Sequence, residues 1–205
     1  MGIPFDAWCA DHTPGTSSAD GLVRTTTEAL FRAIDENREA IDQDPARVHV
    51  LVDETVMPYV DLPKISRWIL GKQWRRASPS QRQRFMGEFR ILLVRSYATA
   101  VSQNTDVAIT YRPVRLKKGG EEATVSTRIH TRSEQPLDII YRLHKSQKGW
   151  KLFDVVVAGV SLVATYRSTF AAEIKRVGID GLIDQLASKN SAPAQSAPEP
   201  NDPKP

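Results

Sequence analysis

The chain has 205 residues, is 40% hydrophobic and 25% charged, and carries 28 Lys and Arg against 24 Asp and Glu for a net charge of +4. No run of about 18 apolar residues occurs, which excludes a membrane-spanning helix, and the single cysteine, Cys9, excludes an internal disulfide while leaving the redox compartment open. Residues 21–189 hold 27 Lys and Arg against 19 Asp and Glu, a net of +8, so the folded part is basic and points to an anionic partner, nucleic acid or membrane headgroups.

Residues 1–17 read as a flexible leader with Pro4, Pro14 and Gly15; Met1–Asp6 lacks a charged n-region and an apolar core, so no signal segment is visible. A helix is expected over 18–42 on the stripe Leu22, Leu30, Ile34 and Ile41. Asp44-Pro45 caps a second, over 45–57, with Val48, Leu51, Val52, Thr55 and Val56 on one face. Pro58 and Pro63 bracket an extended link ahead of a short helix over 64–71. At Ser78-Pro79-Ser80-Gln81 the sequence has a capping box with Pro at the first helical position. The helix that follows runs to about 103, with Phe85, Phe89, Leu92, Leu93, Ser96 and Ala100 on one stripe. Between Asp61 and Tyr97 nine Lys and Arg face only Asp61 and Glu88, so an aromatic face and a cationic face share this region.

Beyond it the hydrophobic period changes from 3.6 to 2. Val107, Ile109 and Tyr111 alternate with polar residues, then Ala123, Val125, Thr127 and Ile129, then Ile139, Tyr141 and Leu143, then Trp150 to Val157. Turns at Lys117–Gly120, Ser133–Pro136 and Ser146–Gly149 make these four strands an antiparallel meander, the last apolar on both faces. A helix over 161–177 carries Leu162, Val163, Tyr166, Phe170, Ile174 and Val177, Gly178 ends it, and Leu182, Ile183 and Leu186 mark a final short helix. The Pro/Ala/Ser-rich residues 190–205 read as a disordered tail. The fold class expected is α+β, one domain over 18–189 with helices covering one face of the sheet.

Catalytic constellations are missing. His12, His49, His130 and His144 have no metal-ligand spacing and read as solvated, and no Gly-rich phosphate loop, G-x-S-x-G or H-E-x-x-H occurs. Asp154 interrupts the Trp150, Leu152, Val156 face of the most apolar strand. It is either the general base of a ketosteroid-isomerase-like enzyme or a structural partner for an arginine such as Arg167, whereas Asp53, Glu54 and Asp138 read as solvated. Trp68 and Trp74 within the cationic stretch fit a single-stranded nucleic-acid track, though no recognition-helix, RNP or zinc-finger pattern accompanies them. The apolar stripes of the helices either close a solid core or leave a pocket against a twisted sheet, and periodicity does not separate the two.

A resemblance adds to this. Asp44-Pro45, Pro58-Tyr59-Val60-Asp61, Leu70-Gly71-Lys72-Gln73-Trp74, Ala77-Ser78-Pro79-Ser80-Gln81-Arg82 and Phe85-x-x-x-Phe89 stand in an order similar to the MlaC family, as do Trp150-x-x-x-Asp154-Val155, Gly159-Val160-Ser161-Leu162, Tyr166-Arg167-x-x-Phe170 and Gly178-Ile179-Asp180-Gly181-Leu182. These are the bacterial phospholipid-binding proteins of the Mla lipid-asymmetry transport system, also called toluene-tolerance proteins, and the likeness covers about residues 20–187. It implies a helical layer on a strongly twisted four-stranded antiparallel sheet, cystatin- or nuclear-transport-factor-like, around an apolar cavity. It implies a periplasmic, monomeric carrier with no cofactor and no catalysis, whose ligand is a diacyl glycerophospholipid. Its partners would be an outer-membrane lipoprotein–porin complex, an inner-membrane ABC transporter complex and, transiently, membrane surfaces, with no nucleic acid. The lining expected is Val52, Val56, Phe85, Phe89, Leu92 and Leu93 from helices, Val107, Ile109, Val125, Ile129, Ile139, Tyr141 and Leu152 from strands, and Leu162, Tyr166 and Phe170 from the closing helix. Which parity of the last strand faces inward is open, because Phe153 and Val155 compete with Leu152 and Val156.

Overall fold

The computed structural model describes residues 17–103, 107–117, 119–130 and 135–191. The leader before Ser17 with Cys9 and His12, the turn at Ser133-Glu134 and the tail from residue 192 lie outside the described residues.

Helices α1 (Ala19–Glu36) and α2 (Arg38–Gln43) replace the single first helix expected. The Ser18 hydroxyl accepts from Gly21 N at the start of α1, and Asn37, whose side chain donates back to Ala33 O, marks the break. α3 (Arg47–Thr55) is followed by a 3-10 turn at Met57–Tyr59. α4 (Leu62–Leu70) is capped by Asp61, which accepts from Lys64 N at 2.9 Å. A five-residue helix that the sequence reading did not separate, α5 (Lys72–Arg76), follows across Gly71. α6 (Pro79–Gln103) begins at the expected capping box: Ser78 Oγ accepts from Gln81 N at 3.2 Å and Gln81 Oε1 accepts from Ser78 N at 2.9 Å.

Among the described residues the sheet has six strands rather than four, all antiparallel, in the order β1-β3-β4-β5-β6 with β2 also on β3. The four strands expected are β1 (Ala108–Tyr111), β3 (Glu122–His130), β4 (Leu137–Ser146) and β5 (Gly149–Val157). β2 (Arg115–Leu116) resumes pairing along β3 after Pro113, which has no N–H to give the ladder. β6 (Val160–Ser161) folds back onto β5 across Ala158-Gly159. Two-residue strands carry no alternation, which is why the period-2 reading did not find them. α7 (Leu162–Ser191) closes the chain; its two segments meet at Gly178, whose φ of 74° and ψ of 179° belong to a region reserved for glycine.

One irregularity decides which residues share a face. Ile139 pairs with Val157, Tyr141 with Val155 and Arg142 with Asp154, but Leu143 pairs with Leu152, leaving Phe153 as the extra residue of a bulge. A one-residue insertion reverses the side-chain parity beyond it. Leu152 and Val155 therefore lie on the same face, and Val156 lies on the other with Ile140. Phe153 packs with α4, α6 and α7.

Candidate functional site

One face of the sheet is a series of apolar rows. From one end these are Ala123-Leu143-Leu152, Val125-Tyr141-Val155, Tyr111-Thr127-Ile139-Val157 and Ile109-Ile129-Leu137. Cover decreases along them. Ala123, Val125 and Leu143 are buried beneath Ala19, Leu22 and Val23 of α1. Ile139, Val155, Val157, Ile109 and Ile129 are only half-buried, and Leu137 is 37% exposed.

The buried apolar residues do not merge into one core. A first cluster joins α4, the start of α6, α7 and Phe153, and a second is α1 on the sheet. A third joins Leu30 and Ile34 of α1 with Val48 and Val52 of α3 and Val94 and Ala98 of α6. Domains of this size usually hold one contiguous core with small satellites. Here Val60, in the link before α4, and Leu62, its first residue, touch both the first and the third. Ile109, Ile129, Ile139, Val155 and Val157 of the sheet belong to none of them.

The residues expected to line a cavity thus fall into two kinds. Phe85, Phe89 and Phe170 are closely packed: the Phe85 and Phe89 rings stack at 5.6 Å, and Phe170 meets each edge-on at 5.9 Å. Val52 and Val125 are buried in the third and second clusters. Val56, Leu92, Leu93, Tyr141, Leu152 and Tyr166 are half-buried at cluster edges. Val107, Ile109, Ile129, Ile139 and Leu162 are half-buried outside every cluster.

Sequence reasoning missed two residues of interest, Tyr97 and Val157, and left a third, Val155, open. Tyr97 stands one turn beyond Leu93 on α6, a spacing that could have found it, and its hydroxyl lies 3.3 Å from that of Tyr166. Val155 and Val157 were hidden by the bulge. Burial raises the phenol pKa of Tyr97, and burial with the neighbouring Tyr97 raises that of Tyr166 further. Burial likewise raises Tyr111 and Tyr141.

Asp154 is not poised as a base. It is 4% exposed and lies on the face opposite the apolar rows. Its oxygens accept from Ser161 Oγ at 2.8 Å, Arg142 Nη1 at 3.0 Å and Val163 N at 3.2 Å, so its arginine is Arg142 rather than Arg167. His144 is not solvated either: its Nε2 lies 2.7 Å from Asp61 Oδ2, tying β4 to the α4 cap. The Asp53 and Asp138 side chains are solvent-exposed as expected and also paired, Asp53 with Arg90 in a two-bond fork and Asp138 with Arg128 likewise. The two tryptophans do not form one track. Trp74 packs on the first cluster beneath Arg82, while Trp68 is 42% exposed with an edge against Phe153. Among the described residues no His, Cys, Asp and Glu group could hold a metal, and no helix is long and apolar enough to cross a membrane.

Comparison with known proteins agrees with this arrangement. The chain is 27% identical over 177 residues to the intermembrane phospholipid transport system binding protein MlaC of Haemophilus influenzae, covering 84% of this chain and 82% of that protein. It is 26% identical over 194 residues to the toluene tolerance protein ttg2D of Pseudomonas putida, covering 91% and 89%. Its fold matches the solved structure of a phospholipid-binding protein from Ralstonia solanacearum in complex with a phospholipid, with a TM-score of 0.78, 29% identity and coverage of 85% of this chain and 97% of that one. The MlaC protein family matches residues 24–188, and the chain belongs to that family.

Proposed function

We propose that this protein is a non-enzymatic phospholipid carrier that buries the acyl chains of a diacyl glycerophospholipid between the sheet and its helices. The observation that carries the reading is the half-buried apolar end of the sheet, Ile109, Ile129, Ile139, Val155 and Val157, which none of the three buried clusters covers. The phospholipid held by the Ralstonia relative supports the same ligand class.

The physics of the task fits the build. Each methylene moved from bilayer to water costs about 0.8 kcal/mol, so two chains of ~16 carbons cost on the order of 20 kcal/mol to expose. A carrier offsets that only with a comparable apolar area shielded in transit, and a sheet face left without core partners is such an area. Leu93, Tyr97, Leu162 and Tyr166 on the helical side and the open rows of the sheet form the lining, with Val56, Leu92, Val107, Tyr141 and Leu152 at its margins. The tightly packed Phe85, Phe89 and Phe170 form the wall behind it. Burying tails rather than headgroups predicts weak headgroup selectivity. Residues 18–189 act as one lipid-binding domain. It shuttles across the periplasm between an outer-membrane lipoprotein–porin complex and an inner-membrane ABC transporter complex.

Native mass spectrometry of the purified protein followed by organic extraction tests the reading. Stoichiometric co-purifying diacyl lipid is expected; a lipid-free protein that takes up none from liposomes sinks it.

A further inference from the structure

We propose that the exposed face of α4 and α5 is a docking surface for the headgroup layer of an anionic phospholipid bilayer. The proposal rests on the carrier reading and adds where the carrier meets a membrane.

The run of charge along the chain singles this face out. Arg84 is matched with Asp184, Arg90 with Asp53 and Arg128 with Asp138, while the exposed Arg32, Arg47, Arg115 and Arg167, which have no ion pair among the described residues, each stand in a shorter acid-free stretch. Lys64, Arg67, Lys72, Arg75 and Arg76 have no ion pair with any described carboxylate, and the sequence holds no Asp or Glu from Leu62 to Gly87. Asp61, which opens the segment, is taken up by the α4 cap and His144. Glu122 is within electrostatic reach of Lys64 but is bonded to Lys117. An uncompensated cationic field of this kind is complementary to an anionic surface.

The second observation selects a bilayer. Trp68, 42% exposed, is the one aromatic residue among the described residues that is not buried or half-buried to the degree of the rest, and it stands on α4 next to Arg67 with Lys64 one turn before it. Its ring rests edge-on against Phe153 at 5.1 Å, and Lys64 Nζ lies 5.7 Å from it, so the indole is fixed in place and outward. An indole offers an apolar body and a polar N–H, the combination that partitions to the headgroup level of membranes, while flanking Lys and Arg meet the phosphates. α5 follows α4 directly across Gly71, whose φ is 53°, and Lys72, Arg75 and Arg76 on it are exposed.

Co-sedimentation of the full chain with vesicles of phosphatidylcholine alone and of phosphatidylcholine with phosphatidylglycerol, at low and high salt, tests this. Binding to the anionic vesicles only, weakened by salt, is expected. The double variant Arg75→Glu/Arg76→Glu lowers it by at least about tenfold, and Trp68→Ala lowers it severalfold at unchanged charge. Arg47→Glu/Lys175→Glu, an equal change of charge on exposed residues elsewhere, leaves most of it. Thermal unfolding of each variant confirms a native fold. No anionic-vesicle binding by the wild type, or equal loss in both double variants, overturns the proposal. Trp68-independent binding to poly-glutamate without vesicle binding also overturns it and assigns the face to an acidic protein. Lipid content is read separately by extraction, so loss of docking with lipid retained leaves the carrier reading intact.

Discussion

Asp154 ties the last long strand to the closing helix, and its surroundings decide what a substitution does. Buried, it accepts from Ser161, Arg142 and the Val163 amide. Asp154→Ala leaves a buried N–H and a guanidinium without their acceptor, at a cost of about 3 kcal/mol in denaturant unfolding. Lipid retained per folded molecule stays unchanged, whereas a catalytic base would show the reverse pattern. The tyrosines make a second residue-level prediction. Tyr97, Tyr111, Tyr141 and Tyr166 all have phenol pKa values raised by burial. Above the ordinary value of about 10 the unfolded chain loses protons that the folded chain keeps, so the unfolded state binds fewer and stability falls as pH rises. Stability is therefore intact with respect to these groups below about pH 10. Above it, ionisation monitored at the phenolate absorption band should accompany unfolding rather than precede it. Steps of phenolate formation in a fully folded protein would count against their burial. At this scale the sequence was half legible. Asp154 stood out because it broke an apolar face, but its partner is set by strand register. His144 looked solvated by alternation because nothing local reveals that Asp61, 83 residues earlier, is folded against it.

At the scale of elements, punctuation was the reliable signal and pairing was not. The Ser78-x-x-Gln81 box formed as read, and Ser78→Ala should lower stability by about 1 kcal/mol, measured as a shift of the denaturant midpoint at constant slope. Gly178 was read as a helix end and is the joint of α7, in a conformation that L residues avoid. Gly178→Ala meets no side-chain obstacle, so its cost is backbone strain of about 1–3 kcal/mol; a neutral result would mean that the joint adjusts freely. What stayed hidden was the bulge at Phe153. The sequence shows an apolar run with no parity, since both Leu152 and Val155 fit one face only once an extra residue is placed between them. β2 and β6 were equally out of reach, because each exists only through its pairing to a longer strand.

For the whole molecule, the fold class and the succession of helices, sheet and closing helix were legible from periodicity and turn chemistry. The division of the interior into three clusters was not, because stripes on separate elements do not say whether they meet. On the proposed reading, that division is what separates a container from a solid core. Ile139 and Ile140 are neighbours on β4, both half-buried, pointing to opposite faces; Ile139 pairs with Val157 on the open apolar face, and Ile140 with Val156 behind it. A photoreactive phenylalanine analogue placed at either position in lipid-loaded protein, followed by mass analysis of the adduct, compares the two faces directly. Capture of phospholipid at 139 with little or none at 140 is the predicted result. Equal capture at both positions, or capture at 140 alone, contradicts burial of the acyl chains between this face of the sheet and the helices.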